Sequence, residues 1–225
     1  MNVTVITPPP FEPVTLADCY RHLRLEPDHE GSPSEWSHPD DPMLEAHITA
    51  AREFVEKMTR RSLVQQRLRL SCVGFPLCCW SGLWWPRGEL FMPPDRIELQ
   101  RPPVQHVDRV SYFDASNAAT EIDPADYYVT DDLVPQLLFA TAFAPPVVYG
   151  RGDAVRVEYT AGYAPEGSPT EPTQEAYAAN VPEPLKQAIL LTVQLLYDNL
   201  APLDREAIER MREALVQPYR IQLAP

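Results

Sequence analysis

Val155-Arg156-Val157-Glu158-Tyr159-Thr160-Ala161-Gly162-Tyr163 alternates apolar and polar side chains as far as Tyr159 and then meets a glycine. That pattern predicts a half-buried strand with an abrupt end. A polar, proline-rich stretch over 164–181 follows and reads as a linker. Val181-Pro182-Glu183-Pro184-Leu185-Lys186-Gln187-Ala188-Ile189-Leu190-Leu191-Thr192-Val193 then begins with prolines suited to a first helical turn and continues as an apolar run. A β-rich region therefore passes the chain to a helical one.

The helical region begins earlier, on the other side of the strands. Thr15 and Asp18 form a weak capping signature for a helix over 15–24, with Leu16, Cys19, Tyr20 and Leu23 on one face. Asp41 and Pro42 start a second helix over 42–60, whose stripe is Leu44, Ile48, Ala51, Val55 and Met58. Beyond the opening stretch, the third helix spans 182–199 and is apolar nearly all round, as expected of a helix buried on several sides or shared between subunits. A fourth spans 203–216 and places Leu203, Ala207, Ile208, Met211 and Leu215 on one face.

Between these helices the period is two. Leu68, Leu70 and Cys72 alternate with Arg67, Arg69 and Ser71. Further strands are expected near 97–99, 107–113, 127–130, 137–139 and 155–159, separated by turn residues. The fold class is α+β: a frame of about four helices with an inserted antiparallel β-sheet or sandwich. The division is 1–62 (arm and first helices), 63–163 (β-rich domain) and 164–225 (linker, last helices and tail). Prolines over 8–13 make residues 1–14 an extended arm.

The chain has 225 residues, of which 32 are acidic and 19 basic, a net charge of −13. Such a surface disfavours gripping nucleic acid or anionic lipid, yet lets a polyanion pass without sticking. There is no apolar run long enough for a membrane helix and no signal-peptide pattern at Met1–Pro10. Cys19, Cys72, Cys78 and Cys79 match no zinc or redox spacing, so reduced thiols in a cytoplasmically made protein are expected.

Phosphate loops, nucleophile elbows and metal-protease motifs are absent from the sequence. His29 and His38 lie in an acidic loop over 26–41, where solvated side chains are the plain reading and a weak metal site the sharper one. Asp123, Asp126, Asp131 and Asp132 border strands and read as turn formers rather than an acid–base pair. The chain is therefore expected to be no enzyme, with no catalytic residue, cofactor or resident metal.

Two features fit contact rather than chemistry. Trp80, Trp84 and Trp85 crowd into one stretch that reads as a hairpin loop. It could fold over its own core, anchor a protein partner, or stack sugars as in a carbohydrate-binding module. The closing segment Pro218-Tyr219-Arg220-Ile221 follows a helix stop and has the form of a short docking peptide.

Four stretches in order resemble one family. They are Val14-Thr15-Leu16-Ala17-Asp18 through Leu25; Asp41-Pro42-Met43-Leu44-Glu45-Ala46 through Glu56 with Thr59-Arg60-Arg61; Arg101-Pro102-Pro103-Val104-Gln105-His106-Val107 into Val110-Ser111-Tyr112; and Val157 to Leu191 with Pro218-Tyr219-Arg220 downstream. Together they resemble the head–tail connector (adaptor) proteins of tailed bacteriophages, closest to the group related to the gp6-like connector and phage phiE125 gp8-like proteins. Residues 26–41 and 77–92 depart from the pattern as insertions.

The resemblance implies a virion neck protein, made in the host bacterial cytoplasm. It implies a homo-oligomeric ring of twelve subunits under the portal protein, a docking place for a stopper or tail-completion protein, and double-stranded DNA passing through the lumen without specific binding. It implies no membrane partner. By position, Pro218, Tyr219, Arg220 and Ile221 would contact the portal. The apolar helix, through Leu191 and Leu195, and the loop, through Trp80, Trp84 and Trp85, would contact other subunits or partners. The stopper role in the same neck is the neighbouring alternative.

Overall fold

Helix α1 (Leu16–Leu23) starts at a reciprocal cap. The Asp18 amide donates to the Thr15 hydroxyl at 3.1 Å, and the Thr15 amide donates to Asp18 at 2.9 Å. Such a cap satisfies two amides that a helix start otherwise leaves without partners. The computed structural model in which this is seen describes residues 2–26, 28, 36–75, 96–140, 142–165 and 173–221. Its described part is a mixed α+β chain of two compact units: Met1–Pro8 with Gln66–Ala161, and Pro9–Gln65 with Gly162–Pro225.

The second unit is helical. It holds α1, α2 (Asp41–Thr59), α3 (Gln174–Ala179), α4 (Glu183–Tyr197) and α5 (Pro202–Val216). The stripe expected on α2 is inward: Leu44, Ile48, Ala51 and Val55 are all buried. They pack with Cys19 and Tyr20 of α1 and Leu185, Ala188, Ile189 and Val193 of α4 in one core. Two sequence expectations change here. Residues 164–181 are not all linker, because Thr173 caps α3 by accepting the Ala176 amide. Asp40, not Asp41, is the residue before α2, and it makes no side-chain cap. Asp41 instead accepts the His38 amide and the Tyr20 hydroxyl, while Asp40 accepts the Tyr197 hydroxyl.

The other unit is a pair of antiparallel sheets. One has the order β1-β2-β8-β4-β5, built from β1 (Asn2–Thr7), β2 (Gln66–Cys72), β4 (Val104–Phe113), β5 (Ala119–Glu121) and β8 (Val155–Ala161). The smaller has the order β3-β7-β6, from β3 (Arg96–Glu98), β6 (Tyr127–Val129) and β7 (Gln136–Phe139). Leu68, Leu70, Val155, Val157 and Tyr159 of the first sheet share a core with Ile97 and Leu137 of the second. The alternation that predicted β2 is the reason: its even positions are buried and Arg67, Arg69 and Ser71 face outward. The expected N-terminal arm is in part a strand, since Asn2–Val5 pairs in register with Leu68–Ser71. Its Val3, Val5 and Ile6 carried a strand signal that the nearby prolines overshadowed.

The chain leaves β8 at Gly162, whose φ of +115° suits glycine alone. A Cβ at that position would lie 2.2 Å from the Val64 carbonyl oxygen. The glycine that marked the strand's end in the sequence is thus required twice, by conformation and by space.

Candidate functional site

The closing segment is tied to the end of α2. α5 ends at Val216 and one 3-10 turn, Gln217–Tyr219, follows. α2 ends at Thr59, and Arg60 turns into the left-handed region with φ 58°. The last carbonyls of a helix lack intrahelical donors. Here the chain's own later residues supply two. The Ile221 amide donates to the Thr59 carbonyl at 3.0 Å, and Arg220 Nε donates to the Met58 carbonyl at 3.1 Å. In return Arg61 Nε donates to the Tyr219 carbonyl at 2.7 Å. Ile221 is 3% exposed. Of the four residues expected to dock, Pro218 and Arg220 are exposed, Tyr219 is half-buried and Ile221 is buried.

The other expected contact residues are distributed differently. Leu191 and Leu195 are 7% and 5% exposed, so the chain itself covers them. α4 packs against α1, α2 and α5, which uses up most of its all-round apolar surface. Leu196, beside them, is the α4 leucine left half-exposed. Trp80, Trp84 and Trp85 lie outside the described residues, as does His29.

The face predicted for α5 divides in two. Leu215 packs on the core and Val216 is buried within it, whereas Leu203 and Met211 are 80% and 57% exposed. Ala207 and Ala214 are exposed with them. The sequence expectation put Leu203, Ala207 and Met211 on a single face with Ile208 and Leu215. The spacing contained the signal, since 203, 207 and 211 sit on a different arc from 208 and 215.

A buried ionic cluster holds the start of the helical unit to α2. Arg52 and Glu56 side chains are 5% and 6% exposed and meet at 3.0 Å. Arg52 also reaches Glu12 at 2.8 Å, and Glu56 accepts the Leu63 amide at 2.9 Å. Each charge thus has several partners, as burial demands. On the sheet's outer face Arg67 and Arg69 bracket Glu158, at 3.1 and 2.7 Å, and Arg67 lies 3.4 Å from Asp108. Hydrogen bonds from Arg151 and then Arg156 hold Asp153 well below the usual carboxylate range. Both guanidiniums also lie over the Phe113 ring.

These charged groups are matched with one another. Burial, with Asp18 nearby, pushes the Cys19 thiol up to about 12, which makes it a poor nucleophile. Asp123 accepts the Ala125 amide and forms the turn expected of it. No group of three or more metal-ligating side chains is gathered among the described residues. None of their helices is long and apolar enough to cross a membrane.

No family model and no curated protein matches the chain. Solved structures do. One is a chain in the neck of the empty GTA particle computed with C6 symmetry, with TM-score 0.69, 21% identity, and coverage of 100% of this chain and 98% of that one. A chain in the virion of the native gene transfer agent (GTA) particle gives TM-score 0.67 at 19% identity, with the same coverage. A chain in the neck of the native GTA particle computed with C12 symmetry gives 0.64 at 19% identity, again over 100% and 98%. The fold of this chain is therefore that of a chain found in these particles, shared along its whole length.

Proposed function

We propose that this chain is a non-enzymatic structural protein of the neck of a phage-like particle, acting as a gp6-like adaptor. The observation that carries the reading is the full-length fold likeness to neck chains, in both directions of coverage. The sequence resemblance to head–tail connectors points the same way from different information. The C12 symmetry of one such neck agrees with a ring of twelve subunits. A net charge of −13 suits a wall past which double-stranded DNA slides without specific binding.

In this reading the ring seats on a portal protein and receives a stopper or tail-completion protein. Its place of action is the virion, after synthesis in the host cytoplasm. The segment Pro218–Ile221 carries the portal contact through its exposed members Pro218 and Arg220, since Tyr219 is half-buried and Ile221 buried. Trp80, Trp84 and Trp85 are offered to a neighbouring protein, and Leu191 and Leu195 support the helix on which the subunit is built.

The test is assembly with the portal protein of the same particle. Negative-stain or cryogenic electron microscopy of the mixture is expected to show a ring of this chain bound directly to the portal. A ring that joins only after another neck protein is present would make the chain a stopper instead. No ring and no portal complex at any concentration would overturn the neck reading.

A further inference from the structure

We propose that the outward face of α5 is a self-recognition surface on which a second copy of this chain lays its own α5 antiparallel. Leu203, Ala207, Met211 and Ala214 follow one another at intervals of four, four and three residues. On a helix that spacing gathers them into an arc of about 80°. Leu203 is 80% and Met211 57% exposed, and both alanines are exposed between them. The opposite face of the same helix holds Leu215 and Val216 against the core and Arg212 over the Phe54 ring of α2. The apolar stripe is thus surplus to the subunit's own packing.

The stripe alternates large and small. In an antiparallel pair centred between Ala207 and Met211, Leu203 meets the partner's Ala214 and Met211 meets the partner's Ala207. Each long side chain then fills the space above a methyl group, which is the packing that close helix contacts need. A parallel pair would set Leu203 on the partner's Leu203 and alanine on alanine, leaving clash and void in turn.

The charges beside the stripe select the same arrangement. Glu206 and Arg210 stand together on one flank, 3.0 Å apart, with side chains 60% and 73% exposed. Antiparallel pairing brings Glu206 to the partner's Arg210 and Arg210 to the partner's Glu206. Parallel pairing would instead set this flank against the partner's opposite flank, where Asp204 and Ile208 stand, and the reciprocal match would be lost. Shape and charge therefore both name a second copy as the occupant.

One helix pair is a small interface, so dissociation at around 100 µM is the expected range. The contact is two-fold and closes on itself, unlike the head-to-tail contacts that a ring requires. It describes the unassembled protein, and its outcome does not depend on the neck reading.

The experiment is sedimentation equilibrium of the full chain from about 10 µM to about 1 mM, a span that brackets such an affinity. A monomer–dimer equilibrium is expected. Met211→Glu should raise its dissociation constant at least about tenfold, with an unchanged melting temperature because the position is exposed. Glu206→Arg and Arg210→Glu should each be monomeric alone. An equal mixture of those two variants should associate, because a doubly positive flank then meets a doubly negative one. A chain monomeric throughout, a dimer indifferent to Met211→Glu, or charge variants whose mixture stays monomeric would each overturn the proposal.

Discussion

Arg52 and Glu56 stand one helical turn apart on α2, 3.0 Å from each other, with scarcely any solvent access. The pair makes sense only as part of a larger set, because Glu56 also accepts the Leu63 amide and Arg52 also grips Glu12. Removing one charge strands the others. Glu56→Ala is expected to cost about 3–5 kcal/mol, the usual penalty for breaking a buried pair from one side. Glu12→Ala, at the better-solvated end, should cost clearly less. Urea denaturation followed by circular dichroism would measure both, and equal losses would refute the cluster's internal ranking.

Gly162 should tolerate no side chain. Alanine there must adopt a positive φ and also displace the Val64 carbonyl, which would lie 2.2 Å from the new Cβ. A loss above about 2 kcal/mol is expected for Gly162→Ala. Gly150 and Gly152, where a Cβ would meet nothing within 4 Å, are the controls, and alanine there should change stability little.

The union of the closing segment with α2 gives a graded pair of expectations. Arg61→Ala removes one charged bond to the Tyr219 carbonyl and should cost about 1.5–3 kcal/mol. Ile221→Ala empties a buried site and should cost about 2–4 kcal/mol. Hydrogen exchange at the end of α2 should quicken in both. Unchanged exchange there would mean that the segment does not hold α2's last turn.

Alkaline pH should loosen the helical unit through its tyrosines. Burial and a hydrogen bond to Asp41 raise the Tyr20 hydroxyl, and a hydrogen bond to Asp40 leads the rise at Tyr197. Both phenols thus hold their protons better folded than unfolded, where tyrosine titrates near about pH 10. Their contribution is complete below that pH and declines as pH climbs through the folded-state values, because the unfolded chain has by then released protons that the folded chain keeps. Melting temperatures measured across that range should fall more gently for Tyr20→Phe. An equally steep fall would show that other groups govern the alkaline limit.

The sequence made the long amphipathic elements readable and the exceptions hard. α2 and β2 were legible because a single period runs through each, three-and-a-half-fold in one and two-fold in the other. β1 was obscured by prolines close behind it, and α3 by a linker-like composition that Thr173 nevertheless caps. The inner and outer faces of α5 were merged because Leu203, Ile208 and Met211 are equally apolar. Composition ranks residues by hydrophobicity, whereas only packing decides which of them is spent inside. For the same reason the closing segment looked free, although its backbone has a use that no side-chain pattern announces.

That use bears on how the chain is made. Thr59 and Met58 are synthesised long before Arg220 and Ile221, the residues whose donors finish α2. While ribosomal synthesis is under way, the far end of α2 has open carbonyls, and the helical unit has no α4 or α5 to lie against. The strands between Gln66 and Ala161 emerge in the meantime with their own partners at hand. The last turn of α2 therefore waits for donors that lie 162 residues further along the chain.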